Sequence, residues 1–500
     1  MWDAQRRYYQ RAGIEAWRSA TVPHHVTNNV ALASAYARVV RGFLADTQTR
    51  EPLTIVELGA GAGRFAFLFL RALQALDPRA ALRVRYVMTD VADRTIAFWR
   101  RHPALAPFVR AGRLDFARLD ADRDRTLRLV HARRTITANA PASALVVIAS
   151  YVFSGLRHDA FVTGPRGLRD YLVATGRAAR PEDMTLAWRV GGRVATPYAE
   201  PHLSAIVSAS ARGAQPRRLA FPVGALRCLD RLSALTRDAV LLLVADRAML
   251  KRGPLAGGAE LGLGRHGAVS FPFSFPALRA WGIRHGGTSL RPSRHARHVH
   301  VEGLVVRKDG AAPRTRAAWS RAMAGGGPDG IYAERRRLSM RVSAWSPRRL
   351  IGLMRRAGSD AGGDPRVIAE CVRPLWTHLA DAPPSLRREL RDAVLAAWPN
   401  YYHFSEAQDL AFDLGLLLYE VRAYANARTL FEQSLRLYGD DAATRWNLGL
   451  CHVAVGHARA AHAAFARARR LAPMLLAAGP VTVKGARYRD LPHHECRSAR

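Results

Sequence analysis

Lysine is nearly missing from this 500-residue chain: Lys251, Lys308 and Lys484 stand alone, and 73 of the 76 basic residues are arginine. The arginines are spread through every stretch, as a biased coding composition would leave them. A formal charge of +36 therefore does not by itself point to selected nucleic-acid binding, although it attracts polyanions whatever its origin. Cysteine is scarce as well. Cys228, Cys371, Cys451 and Cys496 lie far apart with no CxxC pair, which excludes a disulfide framework and a cysteine zinc site. No apolar run approaches the roughly 18 residues of a membrane span; the longest, around Ala239–Ala245, is strand-sized. MWDAQRRYYQ contains no apolar stretch of signal-peptide type, so a cytoplasmic protein without membrane contact is expected. What the chain does have is a 49% apolar fraction and enough length for two or three packed domains.

Residues 1–50 read as a helical segment. MWDAQRRYYQRAGIEAW and Val30–Leu44 carry apolar residues at helical spacing, and Pro23–Asn29 breaks them, with Thr27 or Asn28 placed to cap the second helix. From 51 to 308, strand-like and helix-like runs alternate. Strands are predicted at Leu53–Leu58, Leu82–Thr89, Ala144–Ser150, Ala239–Ala245 and His298–Val306, and a helix over Arg64–Leu76 that Asp77-Pro78 stops. This alternation predicts a doubly wound, mostly parallel sheet of Rossmann-like α/β type. Ser150 to Ala239 is too long for one crossover, so an insertion is expected at about 160–235, with a hairpin turn at Gly191-Gly192 and a helix over Pro222–Thr236.

Residues 309–365, which include Gly325-Gly326-Gly327-Pro328, are expected to link this domain to an all-helical one at 366–480, followed by a basic tail at 481–500. A repeat marks the helical domain. Leu414-Gly415 returns as Leu448-Gly449, Ala427 as Ala461, Phe431 as Phe465 and Ser434 as Ala468, all 34 residues apart, and Pro473 closes the second unit. Period and small/large pattern resemble tetratricopeptide repeats (TPR). Two such units cannot bury a solenoid core alone, so helices over Val367–Leu379 and Leu386–Trp398 are expected to pack with them.

The chemistry centres on Ile55-Val56-Glu57-Leu58-Gly59-Ala60-Gly61-Ala62-Gly63-Arg64, a buried strand that runs through three alternate glycines into an amphipathic helix. Glycine lets the backbone turn sharply and approach a ligand without a Cβ in the way. Arg64 stands where a dinucleotide GxGxxG fingerprint has its third glycine, which disfavours a nicotinamide dehydrogenase. Glu57 places a carboxylate at the strand's end, suited to a cationic ligand. His295, His298 and His300 lack a carboxylate or cysteine in the same short segment, so no metal site is expected; a strand with its polar residues toward solvent accounts for them.

The glycine segment resembles motif I of class I S-adenosylmethionine (SAM)-dependent methyltransferases. The resemblance implies that Gly59, Gly61 and Gly63 lie against the methionine and ribose parts of SAM, with Glu57 at its amino-acid end. Asp90, ending Tyr86-Val87-Met88-Thr89-Asp90, matches the family's ribose-binding acid, and Asp115 in Leu114-Asp115-Phe116 its adenine contact, with Asp120 and Asp122 competing for that role. From Tyr8 to Val306 the order of features is similar to MidA-type methyltransferases, which include the mitochondrial complex I assembly methyltransferase. Motif I, Ile148–Leu156 and Leu243–Asp246 carry that likeness, but the Asn-Glu and aspartate usual near Ser150-Tyr151 and Ser154 are absent. At this strand's mouth Tyr151, Ser154, His158 and Asp159 are the catalytic candidates. His266-Gly267 and Phe271–Phe275 are expected either to shape an acceptor pocket or to anchor a buried loop. The expected protein is a SAM-dependent methyltransferase whose TPR module docks a protein partner or substrate; a SAM-binding TPR adaptor without turnover is the alternative.

Overall fold

The computed structural model describes residues 1–18, 26–47, 49, 51–165, 167–176, 178, 180–211, 217–249, 261–265, 268–292, 299–307, 310–324, 346–356, 362–376, 379, 382–404, 406 and 408–473. The chain divides into two units, residues 1–334 with 359–361, and residues 335–358 with 362–500.

In the first unit the main strands are β1 (Leu53–Leu58), β2 (Val84–Asp90), β3 (Leu114–Arg118), β4 (Ala142–Ser150), β5 (Asp159–Gly164), β6 (Gly167–Thr175), β7 (Leu186–Arg193), β8 (Arg217–Phe221), β9 (Thr236–Asp246), β10 (Gly287–Leu290) and β11 (His300–Arg307). Seven of them form one sheet, in the order β10-β11-β9-β4-β1-β2-β3. Strands β1 to β4 and β9 pair in parallel, whereas β11 runs antiparallel between β9 and β10. Every residue of β1 is buried, as expected of a parallel strand covered on both faces. This mixed, parallel-dominated sheet is of Rossmann-like α/β type. The strand order reverses between β1 and β4, so the C-terminal ends of these two strands open the crevice where such sheets take ligands.

Several elements depart from the sequence reading. Leu82 belongs to a short helix, Pro78–Leu82, capped by Asp77, so β2 starts at Val84. The insertion is a four-stranded antiparallel sheet, β8-β5-β6-β7. Gly191-Gly192 is not its hairpin turn: both lie inside β7, where the pairing with β6 slips between Arg169 and Tyr171. An extra residue opposite a pair is a bulge, the other common use of glycine in a strand. His300 and Glu302 do not face solvent; both are buried, His300 Nε2 lies 3.0 Å from Glu302, and Arg279 grips the same carboxylate with two bonds of 2.8 Å. His295 and His298 lie outside the described residues, as do His266-Gly267, Gly325–Pro328 and the tail at 481–500. Among the described residues no cluster could hold a metal ion, and no helix is long and apolar enough to cross a membrane.

Two helical layers bear on the site. Helix α1 (Trp2–Ala12) and the turn Glu15–Arg18 precede α2 (Val30–Thr47), and α3 (Arg64–Leu76) follows the glycine turn. Asn29, one residue beyond the expected caps, is the side chain that closes the start of α2, accepting from Leu32 N at 2.8 Å. Helix α4 (Phe275–Arg284) starts at Ser274, whose hydroxyl accepts from Ala277 N at 3.3 Å. Within the stretch expected to be a linker, α5 (Pro313–Met323) is helical and packs on α2 through Gly42, where a Cβ would sit 2.8 Å from Arg314 O. The Asp46 carboxylate accepts from the N–H groups of Arg314 and Thr315 to fix that contact.

The elements of the second unit, among the described residues, are helices. Helices at Pro347–Arg356, Pro365–Trp376 and Pro384–Ala397 come before α6 (Leu410–Glu420), α7 (Tyr424–Tyr438), α8 (Ala442–Ala454) and α9 (Ala458–Leu471). The 34-residue period has a physical basis here. A Cβ on Gly415 would lie 2.8 Å from the Phe431 ring, and one on Gly449 2.5 Å from the Phe465 ring. Both helix pairs thus close on the same glycine–phenylalanine contact.

Candidate functional site

A cavity of about 420 Å³ opens at the C-terminal ends of the parallel strands, within the usual size of small-molecule sites (roughly 300–1,000 Å³). Its floor is the turn after β1. Gly59 and Gly61 have φ of +56° and +53°, a backbone region that side chains disfavour. A Cβ at Gly61 would also strike the Trp17 indole at 2.8 Å. Trp99 Nε1 holds the Gly61 carbonyl at 2.8 Å, and Gly63, at φ +80°, leads into α3. Arg64 points back and donates to Asn28 O at 2.9 Å, tying the residues before α2 to the turn.

Two carboxylates flank this turn. Glu57 on β1 lines the cavity, is 3% exposed, and its Oε2 has no hydrogen-bond partner. Burial first, and then the charge of Asp90, push its carboxyl up to about 8, while the Tyr86 hydroxyl beneath it offsets a part. Asp90 ends the adjacent β2 and is likewise buried. Burial pushes it up to about 6 against the N–H groups of Ala92, Gly61 and Val91. The register Glu57–Met88 places both acids at neighbouring strand ends.

Asp115 does not join them. It is the second residue of β3, far from that strand's C-terminal end, and three backbone N–H groups, of Phe116, His131 and Ala132, each reach its carboxylate at 2.8 Å. The loop leaving β3 reaches the cavity with Asp120 and Asp122 instead, and Arg6 pairs with Asp120 at 2.9 Å.

Of the catalytic candidates, Tyr151 and Ser154 line the cavity and His158 and Asp159 do not. Tyr151 adopts φ +54°, uncommon for a residue with a side chain. Ser154 is fixed by Asp246, the buried end of β9, which accepts from its N–H at 3.0 Å. Burial pushes Asp246 up to about 6, and the Ser154 hydroxyl and N–H moderate the rise. His158 packs between the Trp2 and Phe271 rings and gives its Nδ1 proton to Leu156 O at 2.9 Å. Burial drives its imidazole down to about 4, so it is neutral. Asp159 accepts from the Tyr198 hydroxyl and from Arg157. Phe271, Phe273 and Phe275 are buried in the core and anchor their loop; none lines the cavity.

The residues missed from sequence lie before α2 and after β9. Trp2, Gln5, Arg6 and Tyr9 of α1, with Trp17, form one wall, and Tyr9 stacks on Trp17 with ring centres 5.9 Å apart. Gln5 is buried and bridges two distant segments: its Nε2 donates to Gly155 O at 2.8 Å and its Oε1 accepts from Val269 N at 2.7 Å. A buried amide on an otherwise apolar helix face was the one available signal. Arg247, just past β9, completes the opposite wall.

No family model matches the chain. A segment of 134 residues, 26% of the chain, is 31% identical to part of the iterative polyketide synthase afoE of Emericella nidulans, and it spans 5% of that protein's length. Among solved structures, an uncharacterised superfamily protein from Burkholderia thailandensis is 16% identical, with a TM-score of 0.40 over 61% of this chain and 87% of that one. A member of the same superfamily and organism, considered a methyl transferase and bound to S-adenosyl-homocysteine, is 19% identical, with a TM-score of 0.36 over 53% and 62%. The CurJ carbon methyltransferase is 11% identical, with a TM-score of 0.27 over 55% and 53%.

Proposed function

We propose that the chain is a SAM-dependent methyltransferase that holds its cofactor over the Gly59–Gly61 turn. The observation that carries this reading is the pair of buried carboxylates, Glu57 and Asp90, at adjacent strand ends beside two glycines with positive φ. An unpartnered, buried carboxylate oxygen is costly until a donor reaches it, and the ammonium at the amino-acid end of SAM is such a donor for Glu57 Oε2. The two oxygens of Asp90 suit two adjacent ribose hydroxyls. The adenine end falls to the loop Leu119–Asp122, not to Asp115. Bound there, SAM supplies a methyl group already activated as a sulfonium. The chain has then to hold a nucleophile in line and keep water away; Trp2, Tyr9 and Trp17 wall the cavity for that purpose.

The finer assignments belong to the same proposal. The MidA-type likeness rests on motif I, Ile148–Leu156 and Leu243–Asp246, and the helical unit is read as TPR-like, a holder of a protein partner, on its repeated glycine–phenylalanine contact. One observation favours the rival adaptor: Ser150, Tyr151 and Ser154 stand where MidA-type enzymes usually carry Asn-Glu and an aspartate.

Calorimetric titration with SAM and S-adenosylhomocysteine tests the reading. Micromolar binding is expected, weakened about 10- to 100-fold in Asp90→Asn, the loss of charge-assisted bonds to two hydroxyls. A folded wild-type protein that binds neither would end the proposal. Binding without transfer of labelled methyl groups to any acceptor would favour the adaptor.

A further inference from the structure

The acids and the arginine free of them lie on opposite sides of the cavity. Glu57, Asp90, Asp120 and Asp122 line it on the β1–β2–β3 side, while Arg247 lines it beyond β9, on the far side of β4. The other cation of the wall, Arg6, is held by Asp3 and Asp120. Arg247 is not held in that way. Its guanidinium donates to the Ser270 hydroxyl at 3.0 Å and to Gly262 O at 3.3 Å, and no carboxylate pairs with it among the described residues. The neighbouring Asp246 is 0% exposed and spends its oxygens on the N–H groups of Ser154 and of Arg247 itself, outside the cavity wall. Arg247 still feels the charge of Asp246, but its guanidinium bonds go only to a hydroxyl and a carbonyl, and a half-buried cation so placed on a cavity wall can take an anion.

A second observation comes from the adjacent strand. Ser150, the last residue of β4, lines the same cavity, and its buried Oγ has no hydrogen-bond partner. The register Ala245–Ser150 brings the ends of β4 and β9 together, so this hydroxyl and the Arg247 backbone lie at neighbouring strand ends. Ser270 Oγ accepts from Arg247 and so keeps its own proton to donate.

We propose that Arg247, Ser150 and Ser270 form a carboxylate-binding subsite in the acceptor half of the cavity, and that the methyl acceptor is an organic molecule carrying a carboxylate. One planar guanidinium and two hydroxyls match the single charge and two oxygens of a carboxylate; a phosphate dianion calls for more cationic donors. Two strand spacings, about 10 Å, separate β9 from the glycine turn after β1. Val152, Leu156 and Val269 line the cavity and suit the apolar body of such an acceptor. The inference rests on the methyltransferase reading for the word acceptor, but the subsite stands on its own geometry.

The test is calorimetric titration of the full chain with benzoate and hexanoate, and with their neutral amides, in the presence and absence of S-adenosylhomocysteine. Wild type, Arg247→Gln, Arg247→Lys and Ser150→Ala are compared. The carboxylates are expected to bind wild type more tightly than the amides do. Their affinity should fall about tenfold or more in Arg247→Gln, and less in Arg247→Lys and Ser150→Ala. The amides should not distinguish the variants, and S-adenosylhomocysteine should bind all four alike, which also reports that they are folded. Carboxylates that bind no better than amides, or that keep their affinity in Arg247→Gln, overturn the proposal. Should Arg247→Gln fail to fold, an unchanged carboxylate affinity in Arg247→Lys and Ser150→Ala overturns it equally. Loss of S-adenosylhomocysteine binding with Arg247-dependent carboxylate binding intact would leave the subsite and remove the methyltransferase reading; the reverse pattern would do the opposite.

Discussion

Glu57 sits in a position that a proton or a bound cation relieves. Its carboxyl is pushed up to about 8 by burial, against an ordinary value of 4.5, so between those values the folded chain holds a proton that the unfolded chain has released. Stability then falls as pH rises through that window, and Asp90, at about 6, adds to the slope over its own lower range. Melting temperatures of the free protein should accordingly decrease from pH 5 to 8, and Glu57→Gln should flatten the decrease. A wild-type profile that does not fall would sink the assignment. The glycine turn, Glu57 and Asp90 were readable in the sequence because a strand end, a glycine spacing and a following carboxylate are all local features. Asp115 was not separable from Asp120 there, since which residue reaches the cavity depends on where β3 stops pairing with β2. Arg247 left no trace at all, its meaning arising only from Ser150 and Ser270.

At the scale of elements, the strands that lie buried on both faces announced themselves as apolar runs, and β1 matches its predicted limits. The glycines were harder. Gly191-Gly192 has the composition of a turn and the position of a bulge, and only the partner strand tells the two apart. Gly415 and Gly449, by contrast, were legible because they recur with their phenylalanines. Their contacts predict the outcome of substitution. Gly449→Ala places a methyl group 2.5 Å from the Phe465 ring and should destabilise the helical unit by about 1–3 kcal/mol, the usual cost of overpacking. Gly415→Ala should behave similarly. Thermal unfolding followed by helical circular dichroism measures both, and an unchanged melt for the two would argue against the tight approach.

For the whole molecule, arginine dominates the charge. A net +36 should make the protein retain nucleic acid at low salt, and that binding should fade steeply between about 50 and 200 mM salt. It should also show no preference among unrelated RNA sequences. Selective binding that survives 200 mM salt would instead reveal a dedicated surface. Length, composition and the repeat led us to expect two or three domains. Less foreseeable was that residues 1–17, read as a separate helical segment, wall the cavity of the sheet.

That wall sets a timetable. Gln5 is secured by Val269, 264 residues further along, and a ribosome adding about 5–20 residues per second needs roughly 15–50 s to make what lies between. Until then the Gln5 amide has only its bond to Gly155 O, and the cavity lacks its Val269 side. The nascent chain must therefore keep Trp2, Gln5 and Tyr9 out of wrong partnerships while the sheet assembles behind them.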